Sequence, residues 1–272
     1  MEGGDPTVLR VATAQLAGVW EDPVTTLAQA ERMVAQAADG GAHLICFPEQ
    51  FATGWSPHIA HWAEEMGGPV TGALSSLASQ YGIGVLGSFV ERHTPKPRNT
   101  CVVFDGEGTP ITTYAKIHLF TPGHEDRDLE SGDHLSLFEM EGVRMGIAIC
   151  YDLRFGPLFH LYALRGVHGI IIPAAWPCRR IRQWELLVAA RALEQQCYVV
   201  GVNRTGSTPF ETYCGVSLTA NPEGTIVTRG GDADELFISE IDPAKVLAAR
   251  QALQVLGDYR DSLYRTLGGG QP

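Results

Sequence analysis

Val143-Arg144-Met145-Gly146-Ile147-Ala148-Ile149-Cys150-Tyr151-Asp152-Leu153-Arg154-Phe155 is the stretch on which the fold of this chain turns. As far as Cys150, large and small side chains alternate with the period of a strand. Met145, Ile147 and Ile149 fall on one face, and Gly146, Ala148 and Cys150 on the other, uncrowded one. After Asp152 the alternation stops, Gly156-Pro157 interrupts, and Leu158 to Leu164 reads as a helix. A cysteine placed where a buried strand turns toward a helix is exposed beyond the sheet edge, as the serine is in the hydrolase elbow turn. Backbone N–H groups at such a turn lower a thiol pKa and receive an oxyanion. A buried structural cysteine fits the same local pattern, because free Cys is among the most buried residue types.

Outward from this stretch the chain alternates strands and helices. Thr7 to Gln15 reads as a first strand. Asp22-Pro23 is an N-cap followed by proline at the first helical position, and Leu27, Ala30, Val34 and Ala37 recur at helical spacing up to Gly40-Gly41. His43 to Phe47 is a short apolar strand ending at Pro48-Glu49, so the order strand–helix–strand predicts a crossover unit. Phe51 to Pro69 is loop-like, rich in Trp and His, and fit to cover a site. Thr71 to Tyr81 follows as a helix and Ile83 to Val90 as a strand. Thr100 to Asp105 and Ile111 to Ile117 form a hairpin, with Lys116 at its end. His118 to Gly132 is a long charged loop, and long loops inside compact domains are commonly functional.

Beyond the central stretch, Gly169 to Ala175 and Tyr198 to Asn203 are strands. Ile181 to Gln196 is a helix with Trp184, Leu187, Val188, Ala190 and Leu193 on its apolar side. Gly215 to Ala220 and Thr225 to Arg229 flank a turn, Leu236 to Ile241 is the last strand, and Pro243 to Leu267 is mostly helical. About twelve strands exceed one ordinary sheet. The economical arrangement is α/β: two mixed sheets face to face with helices outside, a four-layer α-β-β-α sandwich. No repeat or linker divides the chain, which predicts a single domain over 1–272 with its core at about 7–265 and a tail at 268–272.

The 272 residues are 44% hydrophobic, enough for one large core. A formal charge of -11 argues against a nucleic-acid surface, and no apolar run is long enough for a membrane span. The N-terminus has no basic region followed by an apolar one, so a cytoplasmic protein without a secretory signal is expected. Six cysteines occur, at 46, 101, 150, 178, 197 and 214, with no C-x-x-C pair. Apart from Cys150, they are expected reduced and mostly buried. Nothing recommends a metal or an organic cofactor.

Glu49 and Lys116 stand at strand ends, as Cys150 does. Each alone fits a solvated edge charge. Together, Ile45-Cys46-Phe47-Pro48-Glu49, Tyr114-Ala115-Lys116-Ile117-His118-Leu119-Phe120 and Ile149-Cys150-Tyr151-Asp152-Leu153-Arg154-Phe155 resemble the nitrilase, or carbon–nitrogen hydrolase, superfamily. Pro173-Ala174-Ala175-Trp176-Pro177, Asn203-Arg204-Thr205-Gly206 and Tyr213-Cys214-Gly215 add to the resemblance, which runs from Val11 to about Tyr264. It implies an α-β-β-α sandwich that pairs through its outer helices into a homodimer. It implies Cys150 as nucleophile, Glu49 as general base, and Lys116 as oxyanion stabiliser with the Tyr151 N–H. A second glutamate after the lysine, Glu125 with Glu130 as competitor, would orient Lys116 and the amide. A charged lysine beside Cys150 would also favour the thiolate.

The Lys-Ile-His-Leu-Phe form resembles the ω-amidase branch, which implies hydrolysis of a small carboxylated amide such as 2-oxoglutaramate. A carboxylate calls for a cation in the pocket. Arg127 and Arg179-Arg180 are the candidates, whereas Arg154 is expected to brace the turn by pairing with Asp152 or another carboxylate. Phe120, Tyr151 and Trp176 are candidate pocket walls. The family commonly has Pro directly after Arg-Phe, whereas here Gly156 intervenes. The rivals are an N-carbamoyl amino acid amidohydrolase or nitrilase of the same superfamily, a Cys–His enzyme using His118, a non-catalytic interaction protein, and a redox-sensing protein in which Cys178 approaches Cys150.

Overall fold

The computed structural model describes residues 8–56 and 58–268. Residues 1–7 and Pro57 lie outside the described residues. So does the expected tail from residue 269 onward.

Two six-stranded sheets carry the fold. In the first, β1 (Leu9–Gln15) is flanked by β14 (Glu235–Ile241) and β2 (Leu44–Cys46). It continues through β3 (Gly84–Glu91), β4 (Arg98–Phe104) and β5 (Pro110–Ala115). The second runs β13 (Ile226–Arg229), β12 (Leu218–Ala220), β9 (Tyr198–Asn203), β8 (Gly169–Ala174), β7 (Val143–Ile147) and β6 (Leu137–Met140). In each sheet the central strands β1–β2–β3 or β7–β8–β9 are parallel and the flanking pairs antiparallel. Parallel neighbours need crossovers. These are α1 (Pro23–Asp39) and α3 (Pro69–Tyr81) on the first sheet, and α5 (Gly156–Leu164) and α6 (Ile181–Gln195) on the second.

Three apolar cores define the four layers. Ala30, Val34 and Ala37 of α1 and Leu74 and Ala78 of α3 pack on Ile45, Val85 and Val102. Between the sheets, Val11, Leu44 and Leu86 meet Met145, Ile147, Ile149 and Val200. Outside the second sheet, Phe159 and Tyr162 of α5 and Trp184 and Val188 of α6 cover Ala148, Ile170 and Ile172. The large residues of the Met145–Ile149 alternation thus face the inter-sheet core, and its small residues face the helices. α1 starts as its sequence dictates: the Asp22 carboxylate accepts the Thr25 N–H at 3.0 Å, with Pro23 at the first helical position.

The differences from the sequence reading are local. Fourteen strands are described rather than about twelve, and one addition is the separate hairpin of β10 (Thr205–Ser207) and β11 (Thr212–Cys214). The loop 51–69 holds the short helix α2 (Ile59–Trp62), and the loop 118–132 holds a turn of 3-10 helix at Thr121–Gly123 followed by α4 (Glu125–Asp128). The C-terminal helix is two, α7 (Pro243–Ala252) and α8 (Asp261–Leu267), because Leu253 turns extended at φ -144°. On α6 the buried side is Trp184, Val188, Ala192 and Gln195 at i, i+4, i+8 and i+11, which leaves Leu193 outward at 57% exposure.

Candidate active site

Glu49, Lys116 and Cys150 each lie just beyond the C-terminal end of a strand: β2, β5 and β7 respectively. The first two come from one sheet and the third from the other, and the face-to-face packing brings their ends together. Cys150 opens a turn of 3-10 helix, Cys150–Arg154, with φ +45°, in the left-handed region that non-glycine residues rarely occupy. The chain is bent sharply there between β7 and α5. α5 sits close on β7 because position 146 is glycine: a Cβ there would lie 2.6 Å from the Tyr162 ring. The Tyr162 hydroxyl donates to the Ile147 carbonyl and pins the strand below the cysteine.

Lys116 Nζ donates to Glu49 Oε1 at 2.8 Å and to Glu125 at 3.0 Å (Oε1) and 2.9 Å (Oε2). Glu49 is held further by Asn99 Nδ2 at 2.8 Å and by the Ala175 N–H at 3.1 Å. Glu125 also accepts the Phe120 N–H at 2.7 Å, so the lysine's loop is tied back onto its own cluster. All three charged side chains are buried. Cys150 is half-buried and lines the same cavity as Glu49, Lys116 and Glu125. Glu130, the competing glutamate, pairs instead with Arg98 at 3.3 Å and His93 at 3.3 Å, away from the lysine.

The charges follow from these neighbours. Burial alone would lower the Lys116 pKa, but the Glu125 and Glu49 carboxylates outweigh it and hold it well above the ordinary lysine value. Burial raises the Glu125 pKa, with Lys116 opposing and Glu49 adding. Burial also pushes the Cys150 thiol well above its ordinary value. Glu49 adds to that rise, and the opposing pull of Lys116 and the Ala175 N–H does not overcome it. Lys116 does favour the thiolate, as expected from the sequence, but desolvation and the Glu49 charge outweigh one cation and leave the thiol raised.

Asp152 locks the turn to the lysine's segment. Its Oδ2 accepts the Ile149 N–H at 2.9 Å and the Tyr114 hydroxyl at 2.8 Å. Its Oδ1 accepts the His118 N–H at 2.8 Å and lies 2.8 Å from His118 Nδ1. His118 stacks on Phe155 at 3.7 Å between ring centroids. The imidazole is thus a brace rather than a partner of Cys150.

Glu49, Lys116, Glu125 and Cys150 line one cavity of about 190 Å³ with Tyr151, Phe120, Trp176 and Arg179. Trp55 of the loop 51–69, Phe210, Tyr213, Arg154 and Arg180 complete its wall. Arg127, expected as a carboxylate ligand, is exposed on α4 and does not line the cavity. Arg179 does, but its guanidinium is committed to Glu211 at 2.5 Å. Arg154 does not pair with Asp152, whose oxygens are already taken. It bonds the neutral Gln183 amide at 2.7 Å and lies 4.7 Å over the Trp176 ring. Arg180 lies 5.2 Å over the Phe120 ring. Among the described residues neither Arg154 nor Arg180 has a carboxylate within salt-bridge distance. Sequence reasoning missed Asn99 as well, a buried amide second in β4 that donates to Glu49. Nothing local marked it, since it sits between Arg98 and Thr100 at the polar start of its strand.

The cysteines bring a second correction. Cys178 and Cys214 form a disulfide, with Cα atoms 5.1 Å apart, so five reduced cysteines are not what the structure holds. Cys178 is therefore joined to Cys214 and not to Cys150. Cys46, Cys101 and Cys197 are free and buried, as expected.

The carbon–nitrogen hydrolase family model matches residues 10–251. The chain belongs to the carbon–nitrogen hydrolase family. This carbon–nitrogen hydrolase is 33% identical to a 2-oxoglutaramate amidase of Bacillus subtilis (strain 168) over 82% of its own length and 87% of the relative's. It is 32% identical to the omega-amidase NIT2 of Homo sapiens over 94% and 96% of the two chains. Among solved structures, an amidase from Nesterenkonia sp. superposes with a TM-score of 0.87 at 23% identity, covering 97% of this chain and 98% of that one, a likeness of fold. The protein is an amidohydrolase of the nitrilase superfamily, and no helix among the described residues is long and apolar enough to cross a membrane.

Proposed function

We propose that this hydrolase cleaves the side amide of a small carboxylated amide, of the 2-oxoglutaramate type, to the acid and ammonia through a thioester on Cys150. The observation that carries it is the contact of Lys116 Nζ with both Glu49 and Glu125, beside the Cys150 sulfur on one small cavity. Because burial keeps the sulfur protonated, Glu49 takes the thiol proton as the sulfur attacks the amide carbon. The C–N bond breaks as Glu49 returns that proton to the nitrogen, and ammonia leaves. Glu49 then deprotonates a water that attacks the thioester carbon. The C–S bond breaks, Glu49 gives that proton to the departing sulfur, and the acid leaves with the thiol and the carboxylate restored. Lys116, held charged by its two carboxylates, and the Tyr151 N–H face the oxygen that becomes negative in both additions. A preorganised donor of this kind is worth about 3–4 kcal/mol. Glu125 keeps the ammonium aimed when Glu49 takes on its proton.

Two guanidiniums without carboxylate partners, beside the aromatic rings of the cavity wall, favour an anionic substrate, with Arg154 and Arg180 as the carboxylate anchors in place of Arg127 and Arg179. Phe120, Tyr151 and Trp176 shape the slot between them and the sulfur. The whole chain acts as one domain, since both sheets supply the site. A homodimer through the outer helices is part of the same proposal. Leu161 (48% exposed) and Leu164 (47%) of α5 and Leu186 (62%) and Leu193 (57%) of α6 leave an apolar face for it.

An ammonia-release panel on wild type and Cys150→Ala tests the function. Release from 2-oxoglutaramate or succinamate, abolished in the variant, is expected. Release only from an N-carbamoyl amino acid, or acid formation from a simple nitrile, would move the enzyme to another branch. No turnover, with Cys150 inert to iodoacetamide, would leave a binding protein.

A further inference from the structure

We propose that Cys178 and Cys214 form a redox clasp across the wall of the active-site cavity, and that closing it sets the affinity for the carboxylated amide. The affinity effect rests on the function proposed above. The clasp itself does not.

Cys178 opens the 3-10 turn Cys178–Arg180, which carries Arg179 and Arg180 into the cavity wall. Cys214 closes β11, whose neighbours Glu211 and Tyr213 line the same cavity. The two cysteines are 36 residues apart in sequence, and a Cα separation of 5.1 Å lies in the range a bridge requires. Both are half-buried, within reach of small oxidants and reductants. The other cysteines are poor rivals. Cys46, Cys101 and Cys197 are sealed in the cores, and burial raises their thiol pKa values.

The position gives the bond leverage. β10 and β11 pair only with each other and belong to neither large sheet, and a lone two-stranded hairpin is marginal on its own. Its other holds include the Tyr213 ring 4.8 Å from the Arg204 guanidinium, a hydrogen bond between Thr205 and Asp234 at its base, and the Phe210 ring edge-on to Trp20 at 6.1 Å and Trp55 at 5.8 Å, none of which touches the turn bearing Arg180. Across the cavity mouth it meets the Arg179 turn through the Arg179–Glu211 pair, whose arginine side chain is 62% exposed. An exposed ion pair holds little by itself. The covalent bond is the firm link between the turn bearing Arg180 and the hairpin bearing Phe210 and Tyr213. With the bond closed, Arg180 is preorganised. With it open, each substrate must order that wall on binding.

The chemistry balances with a hydroperoxide as oxidant. One thiolate attacks the O–O bond, giving a sulfenic acid and, from hydrogen peroxide, hydroxide that takes up the released proton as water. The second thiol attacks the sulfenic sulfur, the S–S bond forms, and a second water leaves. A dithiol reductant reopens the bond by two thiol–disulfide exchanges, returning both thiols and becoming the disulfide itself.

The test uses the full chain as wild type, Cys178→Ser and Cys214→Ser, each after equimolar hydrogen peroxide and after dithiothreitol. Non-reducing peptide mapping should find Cys178 linked to Cys214 in peroxide-treated wild type. Hydrogen exchange at 177–181 and 205–214 should rise on reduction and be high in both variants throughout. These readouts need no substrate, so they stand or fall apart from the proposed function. KM for 2-oxoglutaramate should rise about 2- to 10-fold on reduction of wild type and stay raised in both variants, with kcat little changed. Free thiols at both positions after peroxide, a Cys150–Cys178 link, or exchange indifferent to reduction would overturn the clasp. A mapped clasp with unchanged KM would overturn its role in affinity.

Discussion

Asp152 Oδ1 accepts the backbone N–H of His118 at 2.8 Å, so one buried carboxylate joins the turn that presents the sulfur to the segment that presents the ammonium. Lys116 is two residues before His118, and Cys150 is two residues before Asp152. Asp152→Asn keeps the shape but turns an amide N–H toward donors. Misplacement of about 1 Å in a reacting group costs on the order of 10²-fold, and a loss of about that size in kcat is expected, with KM less affected. Steady-state kinetics beside a thermal melt checks it. His118→Asn should lose far less than Cys150→Ala, because the ring braces Asp152 and stacks on Phe155.

Glu125→Ala removes one of the two carboxylates holding Lys116. Breaking a buried pair typically costs about 3–5 kcal/mol, and denaturant unfolding should show a loss of that order. Activity should fall too, since Glu49 would then bond the lysine alone while also carrying the proton. A Glu130→Ala variant should keep activity, because Glu130 serves Arg98 and His93 instead.

The thiol's raised pKa sets the pH dependence of its alkylation. Burial, then the Glu49 charge, favours the protonated sulfur. The thiolate therefore forms only as pH rises above the ordinary thiol range of about 8–9. Glu49→Gln removes a negative neighbour and leaves Lys116, so the midpoint should move to lower pH. Turnover should nevertheless collapse, for the proton carrier is gone. Iodoacetamide rate against pH, read by mass at Cys150, measures the midpoint. A shift to higher pH would contradict the charge assignment.

Arg180→Ala and Arg154→Ala should raise KM for a carboxylated amide by about 10- to 100-fold each, the worth of a charge-assisted hydrogen bond. A neutral amide of similar size should be affected much less. Arg127→Ala, on the exposed face of α4, should leave both unchanged.

Leu186→Asp with Leu193→Asp places two charges on the outward apolar face of α6. Sedimentation should show the proposed dimer in wild type and a monomer in this variant.

The layers and the placing of the candidate site at strand ends were legible in the chain. The Met145–Ile149 alternation, the Asp22-Pro23 start and the continuous apolar strand Gly169–Ala174 are local patterns with a fixed period. Glu49 and Lys116 stood out through the resemblance of their segments, taken with that of Cys150, to the carbon–nitrogen hydrolases, since a charge at a strand end alone fits a solvated edge; only the packing of two sheets brings Cys150 to them. What local pattern does not encode is partner choice. Arg154 and Arg180 look like Arg127 and Arg179 in sequence. Which guanidinium faces a carboxylate depends on residues far along the chain, such as Glu211 beside Arg179 and Gln183 beside Arg154. Cys178 and Cys214 were missed for the same reason: a hairpin too short to read from periodicity brings them together. Leu193 was read with the apolar side of α6, yet it faces outward, because the buried side follows Trp184, Val188, Ala192 and Gln195 along the helix.

The central claim is a covalent bond between the Cys150 sulfur and the acyl group of the amide. Acid quenching during turnover of 2-oxoglutaramate, followed by peptide mass analysis, tests it directly. The expected result is a peptide containing Cys150 heavier by the mass of the substrate less ammonia, absent in Cys150→Ala. Ammonia release by Cys150→Ala at the wild-type rate, or the adduct on any other residue, would contradict it.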